Sequence, residues 1–224
     1  MSTSLTERLR ASSQPTWDAL ISNPFVTEMA DGSLSVEKFR FYVEQNLFYL
    51  PQYAKVLGFG LARSNSPAEV TRFARSVHQI VDVEIETNRR LLDRIVALGA
   101  EDQSGSVEPS PTCFAYTNYL LAVAATGSSA ETMAAMLPCA WSYGDMATRH
   151  QNCAPHPVYS EWLSFFGDED YIEYVDSLLA EFDGIIGEVT NTEAARLERR
   201  FLAGARYESA FWNMAYTFEQ WPDD

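Results

Sequence analysis

Apolar residues recur at every third or fourth position along most of this 224-residue chain, the spacing of one face of an α-helix. Long runs of strand-like alternation are absent from the sequence. The pattern therefore predicts an all-α bundle. Its helices are expected over 3–22, 36–63, 67–98, 111–126, a segment carrying Cys139, a short segment ending at Phe166, 168–188 and 192–219.

Local start and stop signals support these boundaries. Ser35 and Ser66 are placed to cap helices, and Pro67 strengthens the second start because proline suits the first helical position. Gly99 and Gly127 are expected to end helices.

Prolines and small polar residues predict interruptions. Pro15 should break or bend the first helix, and Pro51 should kink the second, since proline removes a backbone donor. Pro24-Phe25 and 30–34 are interpreted as a turn-rich connector.

Composition is typical of one globular domain over 1–224, because 46% of the residues are hydrophobic. The formal net charge of −15 disfavours nucleic acids and anionic lipids as partners, and no uncharged apolar run is long enough for a membrane span. A polar N-terminus and three cysteines without a CxxC pair favour a cytoplasmic protein without disulfides. The scarcity of lysine fits either a salt-adapted host or genomic base composition.

Cys139 is a candidate nucleophile. It follows Pro138 in an apolar helix, and Tyr143 lies four residues later on the same face. A lone cysteine in such a helix also serves as a small core residue, so both interpretations stay open.

Glu208 lies within an aromatic-rich stretch of the last predicted helix. If that face is buried, the carboxyl pKa should rise and suit general acid catalysis at neutral pH. The alternative is a solvent-facing glutamate beside an ordinary aromatic core.

Asn46 and Tyr49 share one face of the second helix. A buried asparagine offers a donor and an acceptor side by side, which suits a ring nitrogen beside an exocyclic amine. A bond to local backbone is the alternative. The three histidines lack metal-ligand spacing, so neither a metal nor another cofactor is expected.

Segments along nearly the whole chain resemble the TenA family, in its cysteine-type branch. They are Pro24-Phe25, 30–34, Phe39, Tyr42, Gln45, Tyr49, 115–119, 137–139, Tyr143, 156–159, Trp162, Tyr207-Glu208, Phe211-Trp212 and Ala215-Tyr216. No single motif is decisive, but their order and spacing together are specific. The resemblance implies a heme-oxygenase-like helical fold without heme, usually a homotetramer. It implies hydrolysis of aminomethylpyrimidines, and of thiamin, to hydroxymethylpyrimidine in thiamin salvage.

The resemblance also implies roles for individual residues. Cys139 corresponds to the family's nucleophile and Glu208 to its acid/base, with Tyr143 bonding nearby. The substrate-binding positions are Asn46, Phe48, Tyr49, Tyr116 and Phe166. The cysteine would add to the pyrimidine ring, the amine or thiazole would leave, and water would add to the methylene.

Three departures bear on activity. Asn46 stands where the family usually has aspartate, Phe166 replaces a tyrosine, and Asn88 stands where many relatives carry histidine. A neutral amide can donate to the ring nitrogen and accept from the amine, but it forfeits a charge-assisted bond of about 1.5–3 kcal/mol. A pyrimidine-binding or regulatory protein with little hydrolase activity is therefore the alternative function, and a metal-dependent oxidase is a third, less favoured hypothesis.

Overall fold

The computed structural model describes residues 4–99, 108–150, 156–186 and 189–222, and these residues form helices without a strand. Within them, a π-helical segment (Gln79–Glu84) follows the fifth α-helix. The α-helices are α1 (Leu5–Ser12), α2 (Gln14–Ile21), α3 (Pro24–Asp31), α4 (Val36–Ala62), α5 (Pro67–His78), α6 (Ile85–Ala97), α7 (Pro111–Thr126), α8 (Ser129–His150), α9 (Pro157–Phe166), α10 (Glu169–Ile186) and α11 (Asn191–Thr217). The all-α prediction is confirmed. No helix in the described ranges has the length and apolar character that a membrane crossing requires.

The chain divides into two compact units. Unit 1 comprises Met1–Ser33 and Ala130–Trp212, and unit 2 comprises Leu34–Ser129 and Asn213–Asp224. The expectation of a single domain over 1–224 stays a prediction.

Aromatic side chains form the core of unit 1. Trp17 of α2 lies against Trp141 of α8 and stacks on Phe201 of α11, with ring centroids 5.4 and 5.9 Å away. The indole of Trp17 also donates to Asp145 at 2.9 Å. These contacts tie the N-terminal helices to α8 and α11 within this unit.

Unit 2 is built around the long helix α4, which packs against α5, α6 and α7. Gln45 on α4 is fully buried and holds the chain that leads into α7, donating to Glu108 O at 3.0 Å and accepting from Ser110 N at 2.9 Å. Arg63, just beyond α4, donates to the carbonyl groups of Ala124 and Ala125 at the end of α7. Both ends of α7 are therefore fixed to α4.

Most predicted boundaries are confirmed. Ser35 and Ser66 cap their helices through the backbone N–H groups of Lys38 and Glu69. The range 111–126 is α7 as predicted, and the first predicted helix is broken beside Pro15 into α1 and α2. Helix α4 continues through Pro51, where the kink stays a prediction.

The predicted connector is wrong at Pro24-Phe25 and 30–31, which belong to helix α3, and it is confirmed at 32–34, which lie outside the helix. Asn23 caps this helix by accepting from Phe25 N, and Gly32 ends it at a φ of 83°. The helix buries Phe25, Val26 and Met29, so packing stabilises a segment too short to be helical alone.

The chain is helical over almost all of the predicted range 67–98, but it is not α-helical throughout. The π-helical segment separates α5 from α6, and it ends at Glu84, where the buried face of α6 begins. Such segments change the direction in which the following side chains point and are frequent at functional sites. Here the following turn carries Asn88, which is 2% exposed.

Candidate active site

Helices α8 and α11 of unit 1 run in the same direction, and their contacts recur at matching positions along both helices. Glu131 pairs with Arg200 at 3.3 Å, and Tyr143 packs on Trp212 with ring centroids 5.2 Å apart. Between these contacts, a Cβ atom at Gly204 would lie 2.5 Å from the carbonyl oxygen of Ala135. Each pair is separated by 69 positions in the chain, so the two helices keep one register over three turns.

Cys139 and Glu208 occupy the matching level of this register, one turn after the Ala135–Gly204 contact and one turn before the Tyr143–Trp212 contact. Cys139 is half-buried, and Glu208 is 2% exposed. The alternative of a solvent-facing Glu208 is therefore wrong. Burial of a carboxyl group is costly, which makes Glu208 a candidate for a functional group.

Tyr143, one helical turn after Cys139, packs among several aromatic rings. Its ring centroid is 5.4 Å from that of Trp162 and 4.8 Å from that of Phe166. Trp212 stacks in turn on Phe25 of α3, at 5.1 Å. Phe166 thus lies in the same aromatic cluster as Tyr143.

The remaining candidates belong to unit 2. Asn46 is 2% exposed on α4, and its amide donates to Asn88 Oδ1 at 3.1 Å and to the Tyr42 hydroxyl at 3.5 Å. Asn88 in turn donates to the carbonyl oxygen of Glu84 at 2.9 Å. The expectation that Asn46 donates to a ring nitrogen is wrong, because its N–H groups already face protein acceptors. The alternative of a bond to local backbone is wrong as well.

Aromatic residues follow Asn46 closely along α4 and pack on an aromatic residue of α7. Tyr49 and Tyr116 are buried with ring centroids 5.1 Å apart, and Tyr53 lies 5.6 Å from Tyr49. Phe48 is half-buried. Unit 2 therefore offers flat side chains that suit a heterocycle beside a polar amide.

The two described cysteines differ in environment. Cys113 on α7 is fully buried and its thiol lies 3.5 Å from the Gln45 carbonyl oxygen. Burial raises the pKa of the Cys113 thiol to about 12, and the nearby negative charge of Glu219 adds to the rise. Cys113 is thus unsuited to nucleophilic chemistry, whereas Cys139 is half-buried. Cys153 lies outside the described residues.

Sequence reasoning missed two contributors. Gly204 allows α11 to approach α8, and its signal was a glycine inside a strong helical pattern, where it lowers helix propensity. Glu84 contributes its backbone carbonyl oxygen, which no side-chain pattern reveals. In the described ranges, no three His, Cys, Asp or Glu residues gather as metal ligands.

The family model of the TENA/THI-4/PQQC family matches residues 10–218. The chain belongs to this family. An aminopyrimidine aminohydrolase from Halalkalibacterium halodurans is 34% identical over 93% of each chain. Another, from Bacillus subtilis, is 30% identical over 97% of this chain and 92% of the relative.

Solved structures agree with this TENA/THI-4/PQQC assignment. A TenA homologue from P. horikoshii OT3 has a TM-score of 0.86 and 29% identity, over 96% of this chain and 99% of that one. A domain from Shewanella denitrificans described as having a heme oxygenase-like fold has a TM-score of 0.73 at 14% identity, over 97% of this chain and 94% of that one. The predicted fold class is thereby confirmed.

Proposed function

We propose that this chain is a hydrolase that converts aminomethylpyrimidines to hydroxymethylpyrimidine and ammonia in thiamin salvage. Thiamin is the further substrate that the family resemblance implies. Two relatives that match almost the whole chain carry the name aminopyrimidine aminohydrolase. The observation that carries the proposal is the common register of α8 and α11, which puts a half-buried thiol and a buried carboxyl at one level.

In this proposal Cys139 is the nucleophile and Glu208 the acid. The thiolate forms a bond to an electrophilic ring carbon, and Glu208 donates a proton to the departing amine. Water then adds to the exocyclic methylene and gives a proton to the Glu208 carboxylate, which restores the acid. Expulsion of the thiolate restores the aromatic ring. The net reaction is amine plus water giving alcohol plus ammonia.

Tyr143 is the third catalytic candidate, and the remaining candidates bind the substrate. Tyr143, held by three neighbouring rings, hydrogen-bonds close to the thiol. Asn46 accepts from the pyrimidine amine. Phe48, Tyr49, Tyr116 and Phe166 provide aromatic contact with the substrate.

The test measures ammonia release from an aminomethylpyrimidine by purified protein. Cys139→Ala should abolish turnover, and Glu208→Gln should lower kcat by about 10²- to 10⁴-fold, the range for loss of a general acid. Cys113→Ala is the matched control and should retain activity, because its thiol stays protonated. Near-normal turnover by a folded Cys139→Ala protein would remove this mechanism.

A pyrimidine-binding protein without hydrolysis is the second candidate. The neutral Asn46, held by Asn88, favours it because neither side chain can supply the charge of a carboxylate. The same assay separates the two functions. Pyrimidine-dependent thermal stabilisation without ammonia release would support the binding protein.

The proposal extends to a cytoplasmic homotetramer, the assembly that the family resemblance implies. Sedimentation velocity of the purified protein measures this state, and a monomer at micromolar concentration would contradict it.

A further inference from the structure

A chain of hydrogen bonds in unit 2 has a fixed direction. The carbonyl oxygen of Glu84 can only accept, so the group of Asn88 that lies 2.9 Å away must be its Nδ2 donor. Asn88 Oδ1 is then the end that faces Asn46. Because this oxygen can only accept, Asn46 must turn its own Nδ2 toward it, at 3.1 Å. The backbone of the π-helical segment thus determines how the Asn46 amide is oriented.

This orientation leaves one hydrogen-bonding group of the Asn46 side chain available to a ligand. Its second N–H points to the Tyr42 hydroxyl at 3.5 Å. Its Oδ1 accepts no hydrogen bond from the residues that the structure describes. Both asparagines are 2% exposed, so bulk water does not readily replace these partners. Asn46 therefore presents a carbonyl oxygen and not an amide donor.

We infer that Asn88 is a specificity-determining residue that makes Asn46 select a heterocycle with an N–H donor at the contact point. An exocyclic amine of a pyrimidine meets this requirement, whereas a ring carbonyl at the same place would set one acceptor against another. This inference rests on the proposed function only for the pyrimidine class of the ligand. Asn88 acts through Asn46, without a required contact to the substrate.

The same geometry explains why an asparagine at 46 is compatible with an asparagine at 88. An aspartate at 46 would place a carboxylate oxygen against Asn88 Oδ1, which is also an acceptor. Asn88 could turn its Nδ2 toward that carboxylate only by giving up the bond from Nδ2 to the Glu84 carbonyl oxygen. The neutral amide at 46 thus fits the neighbour that this chain has at 88.

The test compares binding of three probes by calorimetry, in the full chain. They are hydroxymethylpyrimidine, its analogue with hydrogen in place of the ring amine, and its analogue with a carbonyl oxygen there. The wild type should bind them in that order. The carbonyl probe should be weakest, about 10- to 100-fold below the amine, because an opposed buried acceptor costs more than a missing bond.

In the Asn88→Leu variant, the carbonyl probe should bind more tightly than the hydrogen probe, which reverses their order in the wild type. Leucine cannot hold the Asn46 Nδ2, so the amide can turn and donate to the carbonyl probe. Thr87→Val is the matched control, since Thr87 is a buried neighbour on the same turn of α6. It should leave the order unchanged. If Asn88→Leu fails to fold, Asn88→Ala makes the same comparison.

Several outcomes would overturn the inference. Equal binding of the hydrogen and carbonyl probes by the wild type would do so, as would an unchanged order in folded Asn88→Leu and Asn88→Ala proteins. Ammonia release with either result would leave the proposed function standing. The expected order without ammonia release would support the inference and remove the hydrolase. Failure of all three probes to bind would overturn the inference, and it would overturn the hydrolase as well if no ammonia is released.

Discussion

At the scale of single residues, two cysteines of the same chain differ in burial and therefore in expected reactivity. Cys113 is fully buried on α7, where burial raises the pKa of its thiol to about 12, while Cys139 is half-buried on α8. At pH 8 only about one Cys113 in ten thousand is a thiolate, by the difference between its pKa and the pH. Reactivity with electrophiles should follow the thiolate fraction and access, so the two thiols should behave differently.

Alkylation measures this difference. Iodoacetamide at pH 8 should modify Cys139 in the folded protein and leave Cys113 unmodified, whereas both should react in denaturant. Peptide mass spectrometry with time gives the two rates. Since the raised pKa disfavours the Cys113 thiolate in the fold, its protection should weaken only as the pH climbs toward 12. Modification of Cys113 as fast as Cys139 at pH 8 would contradict the assignment.

At the scale of elements, the site depends on how closely two helices approach. Gly204 has no Cβ, so α11 can approach the Ala135 carbonyl of α8. That contact is one turn from both Cys139 and Glu208. A small displacement there should move the thiol relative to the carboxyl, and catalysis is sensitive to misplacement of about 1 Å.

Gly204→Ala should therefore lower kcat by about 10²-fold or more and destabilise the fold by about 1–3 kcal/mol, through overpacking against backbone. Gly184→Ala in α10 is the control, because a Cβ there meets nothing within 4 Å. It should keep activity and gain up to about 1 kcal/mol from helix propensity. Steady-state kinetics and urea unfolding measure both. A fully active Gly204→Ala enzyme would show that the register does not control the chemistry.

At the scale of the whole molecule, charge opposes folding. The chain has 31 acidic and 16 basic residues, and the resulting self-repulsion favours expanded states. Salt weakens this repulsion because the screening length falls from about 30 Å at 0.01 M to about 8 Å at 0.15 M.

The melting temperature should consequently rise by several degrees between 0.01 and 0.15 M NaCl, and potassium chloride should have the same effect at equal ionic strength. Differential scanning calorimetry provides the measurement. A constant or falling melting temperature would mean that local ion pairs, such as Glu131–Arg200, outweigh the net repulsion.

Local sequence signals were sufficient for most helices because caps and helix stops act within a few residues. Ser35, Ser66 and Gly127 marked real ends, and the range of α7 followed from its flanking residues. Helix α3 was missed although Asn23 and Pro24 form a normal helix start, since a segment of eight residues depends on burial of its apolar face. The π-helical segment Gln79–Glu84 had no local signal that we recognise.

For the candidate site, too, some features follow from the sequence and others only from the tertiary structure. The types of residue and their helical faces follow from the order of amino acids, because neighbours three or four apart must share a face. The level shared by Cys139 and Glu208 and the orientation of the Asn46 amide do not follow from it. Both depend on contacts between helices far apart in the chain, where packing at Gly204 and a backbone carbonyl at Glu84 select one arrangement.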